Sequence, residues 1–360
     1  MQKRGNEQLM NRTRHLMLFV LLAAGSAVSV STTAGEPVRL IFDTDMDTDC
    51  DDAGALAMLH ALADQGKVKI LATMVSSKYR YSAPCVQAIN AYFGRPDLPL
   101  GVPKGEGAST KRGSKYARQI ADEFPGSLTT NDDAPDARAV YRRILASQPD
   151  GSVVIVSVGY LTNLKDLLNT PPDEHSKLDG RGLVRQKVKY WVCMGGAYPR
   201  RLKHGGYGNF MPHAEATVAA VRDWPSDVFF SGDGQRVLSG RLLRSQAATE
   251  NPVKRAYDLY LGSRPTRPSW DQVALLYAVQ QKASYWQLTS QGYNHIFWNA
   301  TNEWRAEPDN LRHHLVEIRS DMRDYVTMTI EALMAHIPSE GNPTGTANRK
   351  LNANGLPPKR

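Results

Sequence analysis

The chain has 360 residues, of which 41% are hydrophobic and 22% charged; that is enough apolar material for a sizeable core and excludes a fibrous or wholly disordered body. Its formal charge is +8, but much of the excess sits at the ends: Lys3, Arg4, Arg12 and Arg14 against Glu7, and Arg349, Lys350, Lys359 and Arg360 against Glu340. The body between is nearly neutral, which excludes the clustered basic face of a nucleic-acid binder.

Residues 1–34 read as an export signal. Arg12 and Arg14 precede an apolar run over 16–30, and Thr32-Thr33-Ala34 offers small residues at its exit. The run is short for a membrane span, and no later stretch reaches about 18 apolar residues. The expectation is a protein cleaved near Gly35, periplasmic or extracellular, with no stable membrane insertion. Residues 38–42 read as a strand that ends in an acidic loop. An Ala/Leu-rich helix follows over 53–63, stopped at Gly66. Strands are expected at 69–75, 152–158, 187–194 and 228–231. Helices are expected at 83–93, 134–146, from 162, and at 214–221, 272–280 and 322–335. Strands apolar on both faces that alternate with helices predict an α/β fold, an open, mostly parallel sheet flanked by helices, with the site at the carboxyl ends of the strands. Cys50, Cys85 and Cys193 are too few for a disulfide framework and read as buried thiols. Residues 338–360, rich in Gly, Pro and Asn, read as a disordered basic tail, which leaves 35–337 as the folded domain.

The loop after the first strand reads DTDMDTDCDD and holds Asp43, Asp45, Asp47, Asp49, Asp51 and Asp52. A solvated acidic patch is the ordinary outcome of a charge run. This run, however, spans one connection between an apolar strand and an apolar helix, where packed carboxylates call for a cation. A hard divalent metal held by oxygen is the natural partner. An EF-hand is excluded: counted from Asp43 or Asp45, its sixth and twelfth positions hold Thr48 and Gly54, or Cys50 and Leu56. A metal-dependent phosphohydrolase is the second reading. Such enzymes also carry D-x-D after the first strand, and Ser231-Gly232-Asp233-Gly234 imitates their second acidic motif, but Asp47 and Asp49 stand where Thr or Val is wanted.

Asp43-Thr44-Asp45, followed by Asp51-Asp52-Ala53 and the Ala/Leu helix, resembles the metal-binding signature of the nucleoside hydrolases of the inosine-uridine preferring type. The spacing is that of a DTDxGxDxDD subgroup, with Asp47 in place of Gly. Val158-Gly159-Tyr160-Leu161-Thr162-Asn163 is similar to the family's G-x-L-T-N turn, and Met194-Gly195-Gly196-Ala197 to its MGGA strand end. Gly208-Asn209-Phe210-Met211-Pro212-His213-Ala214-Glu215 is similar to its GN-x-x-P-x-AE segment, and Ser269-Trp270-Asp271-Gln272 falls at its last metal-binding Asp. Together the motifs cover roughly residues 37–335.

The resemblance implies hydrolysis of the N-glycosidic bond of a ribonucleoside or related N-riboside, giving base and sugar, by a homo-oligomer (dimer or tetramer). It implies Ca2+ held by Asp45, Asp52, Asp271 and the carbonyl of Val158; beside these, Asp43 and Asp49 read as candidates for orienting the ligands and Asp47 as a solvated carboxylate. Asp51 matches the general base that takes a proton from the attacking water, and Asn209 and Glu215 match the groups that hold the sugar. Bland readings stand beside these: helix caps for Asp52 and Asp271, a turn residue for Asn209, a first-turn carboxylate for Glu215, a core ring for Trp270. The chain departs from the family at Thr217, where Asn is common, and at Val75-Ser76-Ser77, where an Asn follows the second strand. It departs again at Trp270, where a His protonates the leaving base. Trp can stack on a base but cannot donate an acidic proton; His204, Tyr207 and His213, on the Gly-rich segment, are the candidate acids, and the ordinary reading of each is a loop residue. These departures keep a third reading in view, a secreted nucleoside- or carbohydrate-binding protein without turnover.

Overall fold

The first strand, β1 (Val38–Thr44), buries Leu40 and Phe42 in one apolar cluster and Ile41 in another, so it can only lie in a sheet covered on both sides. The structure, a computed structural model, describes residues 35–109, 113–124, 126–202, 205–281, 283–306 and 312–338. The expected export signal and residues 339–360 of the expected tail lie outside the described residues.

β2 (Val68–Val75), β3 (Leu100–Gly101), β4 (Val153–Ser157) and β5 (Val188–Met194) join β1 in an eight-stranded sheet. Its spatial order is Trp286–Thr289, His313–Ile318, Asp227–Ser231, β5, β4, β1, β2, β3. Every pair is parallel except the outermost, where Trp286–Thr289 runs against His313–Ile318. The chain runs from β1 outward to β2 and β3, then lays β4 on the other flank of β1. The order therefore reverses between β1 and β4, and the crevice at their carboxyl ends is where an open α/β sheet takes ligands. Register sets Asp43 level with Ser157 on β4 and Met74 on β2, so the loops after these three strands leave the sheet together.

Helix α1 (Asp51–Asp64) is buried from Asp51 to Leu62; its small residues let it pack between the sheet and the helices Trp270–Val279 and Arg323–Met334. Gly66, at φ +69°, turns the chain after it. The opposite face of the sheet is covered by Ala137–Ala146, Thr162–Leu168, Gly180–Lys187 and Ala214–Asp223. The expected mostly parallel α/β fold is thus observed, with the expected elements displaced by one to three residues at their ends. The sequence reading missed the outer strands Trp286–Thr289 and His313–Ile318. Their mixed polar and apolar residues, half exposed at or near the sheet edge, lack the continuous apolar run of the inner strands. It also missed a two-residue clip, Leu238–Ser239 against Arg267–Pro268, which sets the start of helix Trp270–Val279. All three cysteines are buried free thiols. Among the described residues no helix is long and apolar enough to cross a membrane.

Candidate metal and active site

β1 ends in buried acid. Tyr141 donates its hydroxyl to Asp43 Oδ2 at 2.8 Å, and the Asn163 amide donates to both Asp43 oxygens at 3.1 and 3.2 Å and to the carbonyl of Val75 at 2.9 Å. Asp43 thereby ties β1 to two covering helices, and burial pushes its carboxyl up to about 7. Met46, at φ +46°, turns the loop in a backbone region that costs a non-glycine residue about 1–3 kcal/mol. Its amide donates to Thr44 Oγ1 at 3.1 Å and to Asp52 Oδ1 at 3.3 Å, and the Thr44 hydroxyl also donates to Asp52 Oδ1. Two groups of β1 and its loop thus aim Asp52. Asp45 Oδ1 accepts the Asp47 amide at 3.2 Å. Asp47, expected in solvent, is fully buried: Ser77, after β2, and Tyr160, after β4, donate hydroxyls to its Oδ2 at 2.9 and 3.2 Å. The converging loops cover it. The Tyr116 hydroxyl fixes the far side of the loop by donating to the Asp49 carbonyl at 2.7 Å.

Asp51 and Asp52 occupy the first turn of α1, after Cys50, and Asp271 the first turn of Trp270–Val279, after Ser269. Capping does not account for Asp52 or Asp271, because neither helix start has a side-chain cap; both carboxylates do lie at the positive end of a helix dipole. Oxygens of Asp49, Asp51 and Asp52 all lie within 4.8 Å of one another. Burial raises the Asp45, Asp51 and Asp271 carboxyls well above the ordinary range, and like charge adds to it, chiefly from Asp52 on Asp45 and from Asp51 on Asp271. Burial and the charge of Asp49 lift Asp52 to about 7. Asp271 is buried, and its Oδ1 has no hydrogen-bond partner among the described residues. An orphaned carboxylate oxygen within an all-oxygen, mutually repelling donor set is the chemistry of a hard divalent cation, and these residues fit one.

The next strand ends complete the wall. Asn209 donates its amide to the Val158 carbonyl, the one implied as a metal ligand, and to the Met194 carbonyl at 3.4 Å. It clamps the ends of β4 and β5, and a carbonyl's second lone pair leaves Val158 able to accept again. A Cβ on Gly159 would lie 2.3 Å from the Asp45 amide and from Ser76 Oγ, so only glycine lets this loop approach the acidic one. Glu215 is exposed in the first turn of Ala214–Asp223. Thr217, where the family has Asn, turns its hydroxyl onto the carbonyls of Phe210 and His213 at 3.0 and 3.2 Å, so it braces the segment from below. His213 Nδ1 lies 2.8 Å from Thr162 Oγ1, Tyr207 is exposed beside Arg201, and His204 lies outside the described residues. Asp233, of the phosphohydrolase-like motif, accepts the Ile318 amide at 3.0 Å.

Arg267 was invisible in the sequence. It is 5% exposed; one guanidinium nitrogen stands 2.8 Å from Asp49 Oδ2 and 3.0 Å from Asp51 Oδ1, and Nε donates to the Pro268 carbonyl at 3.0 Å. Its guanidinium carbon lies 5.1 Å from the centre of the Tyr260 ring and 5.6 Å from that of the half-buried Trp270. The one signal was a basic residue a helical turn ahead of Asp271; the clip that aims it inward is tertiary.

Residues 40–220 match the family model described as inosine-uridine preferring nucleoside hydrolase. No curated protein matches the chain. Among solved structures it is similar to the inosine-uridine preferring nucleoside hydrolase from Bacillus anthracis, at 13% identity over 82% of this chain and 99% of that one, TM-score 0.60. It is similar to a purine-preferring ribonucleoside hydrolase from Gardnerella vaginalis, at 14% identity over 82% and 99%, TM-score 0.60. It is also similar to an inosine-guanosine nucleoside hydrolase, at 18% identity over 82% and 98%, TM-score 0.61. At such identities these likenesses speak for the fold.

Proposed function

The chain belongs to the inosine-uridine preferring nucleoside hydrolase family, a family of metal-dependent hydrolases of N-glycosyl compounds, and we propose that it is an exported, calcium-dependent nucleosidase that splits a ribonucleoside or related N-riboside into base and sugar. The observation that carries the reading is the burial of Asp45, Asp51, Asp52 and Asp271, from two distant loops, at the switch point of the sheet.

Asp45, Asp52, Asp271 and the Val158 carbonyl would hold the calcium. A bound divalent cation supplies Lewis-acid activation of water. Asp51 accepts the proton of the attacking water as general base. The anionic wall offsets the positive charge that develops on the sugar ring. Asn209, its amide committed to Val158 and Met194, keeps its side-chain oxygen for a sugar hydroxyl, and Glu215 takes a second. Trp270 offers its ring to the base. The relatives named for inosine, guanosine, uridine or purine ribonucleosides support substrates of that class.

A turnover screen over ribonucleosides, with chelator and with added calcium or magnesium, tests the reading. Base release restored best by calcium is expected. Phosphate release from phosphate esters would identify a phosphohydrolase instead, and ligand binding without any release a binding protein. Export predicts that secreted material begins near Gly35; a retained Met1 contradicts it. Light scattering tests the proposed dimer or tetramer.

A further inference from the structure

The compact carboxylate triplet of this site is Asp49, Asp51 and Asp52, yet two of its members already face a cation. Arg267 reaches Asp49 at 2.8 Å and Asp51 at 3.0 Å with the same nitrogen. Its aim is fixed by the Pro268 carbonyl, by the rings of Tyr260 and Trp270, and by the clip in which Arg267 pairs with Ser239. No ion pair to Arg267 is made by Asp45, Asp52 or Asp271 among the described residues, and Asp52 is aimed instead by Thr44 and Met46.

We infer that Arg267 is a resident counter-cation of the site and the positioning residue of Asp51. It neutralises the Asp49/Asp51 side and leaves Asp45, Asp52 and Asp271 to the divalent ion. The inference rests on the metal-dependent reading above. Two positive groups that share one carboxylate cluster oppose each other. Arg267 therefore weakens divalent binding while it supports the fold without the ion, because removing one partner of a buried pair strands the other's charge. A purely structural arginine would do only the second.

The test is Arg267→Gln beside Arg267→Lys, which keeps the charge and loses the planar fork. Calcium affinity is read on protein folded in calcium and titrated with a competing chelator, so a variant that is weak without the ion still reports. Melting is read separately in chelator. Arg267→Gln should bind calcium at least about tenfold more tightly and melt about 5 °C or more lower in chelator. Arg267→Lys should stay within about threefold of the wild-type affinity, because it keeps the charge. Unchanged or weaker calcium binding in Arg267→Gln overturns the inference, as does a lysine variant that behaves like the glutamine one. If Arg267→Gln does not fold in either condition, Arg267→Met, which keeps an apolar stem in the buried site and removes the charge, decides: tighter calcium binding supports the inference and unchanged or weaker binding overturns it. A wild type with no calcium response refutes the metal-dependent reading of the site; a wild type that does respond, with Arg267→Gln binding calcium no more tightly, overturns only the assignment of Arg267.

Discussion

Exchange of Asp52 for Asn should stabilise the cation-free protein and destroy its response to the cation, two effects of opposite sign from one substitution. Asp52 is 2% exposed, and burial followed by the charge of Asp49 lifts its carboxyl from 3.8 to about 7. At about 1.36 kcal/mol per unit, that displacement makes ionised Asp52 cost the folded state on the order of 4 kcal/mol. The folded value lies above the unfolded one. The contribution is therefore fully present below about pH 4, is lost as pH rises, and is gone once pH has passed about 7. In chelator the wild type should lose stability across that window, and Asp52→Asn should lack this share of the slope. At pH 8 the variant should melt higher, since its amide oxygen can still accept from Thr44 and Met46. Calcium at a hundredfold excess over its dissociation constant should add about 2.7 kcal/mol to the wild type and little to the variant. Thermal melts by circular dichroism between pH 4 and 8.5, with chelator and with calcium, measure both effects. A variant that melts below the wild type in chelator at pH 8, or that keeps the full calcium response, refutes the reasoning.

Asp51→Asn should lower the single-turnover rate by about 10²–10⁴ while calcium affinity changes far less; calcium loss as severe as in Asp52→Asn would show that the two aspartates share one role. Trp270→Ala should weaken aromatic-base substrates by about 1–3 kcal/mol in kcat/KM with folding largely kept; a loss of about 3–5 kcal/mol of stability instead would make the ring a core element. Gly159→Ala forces a Cβ onto the Asp45 amide and should cost about 1–3 kcal/mol in stability together with calcium affinity. A wild-type melting curve and calcium titration would show that the two loops do not need their close approach.

What the sequence determined about this protein is what neighbouring residues enforce on one another. The double-sided apolar pattern of Leu40, Ile41 and Phe42 requires a covered sheet, and the small residues of α1 require a buried helix. The carboxylates crowded between those two elements make a cation their natural partner, and that much of the site was legible because repulsion within ten residues is a local fact. Sequence could not say how the carboxylates divide. Asp47 reads like its neighbours, but Ser77 and Tyr160 close over it; Asp43 also reads like them, and only the fold supplies its partners Tyr141 and Asn163, about a hundred residues on, from two covering helices. The Asn209 amide and the Val158 carbonyl lie 51 residues apart, and only the fold brings them to each other. Arg267 lies 218 residues from Asp49 and reaches it through a two-residue clip with no pattern of its own. Which charges meet is decided by strand order and register, because these bring loops from β1, β2 and β4 to one level of the sheet, and no periodicity along the chain encodes that meeting.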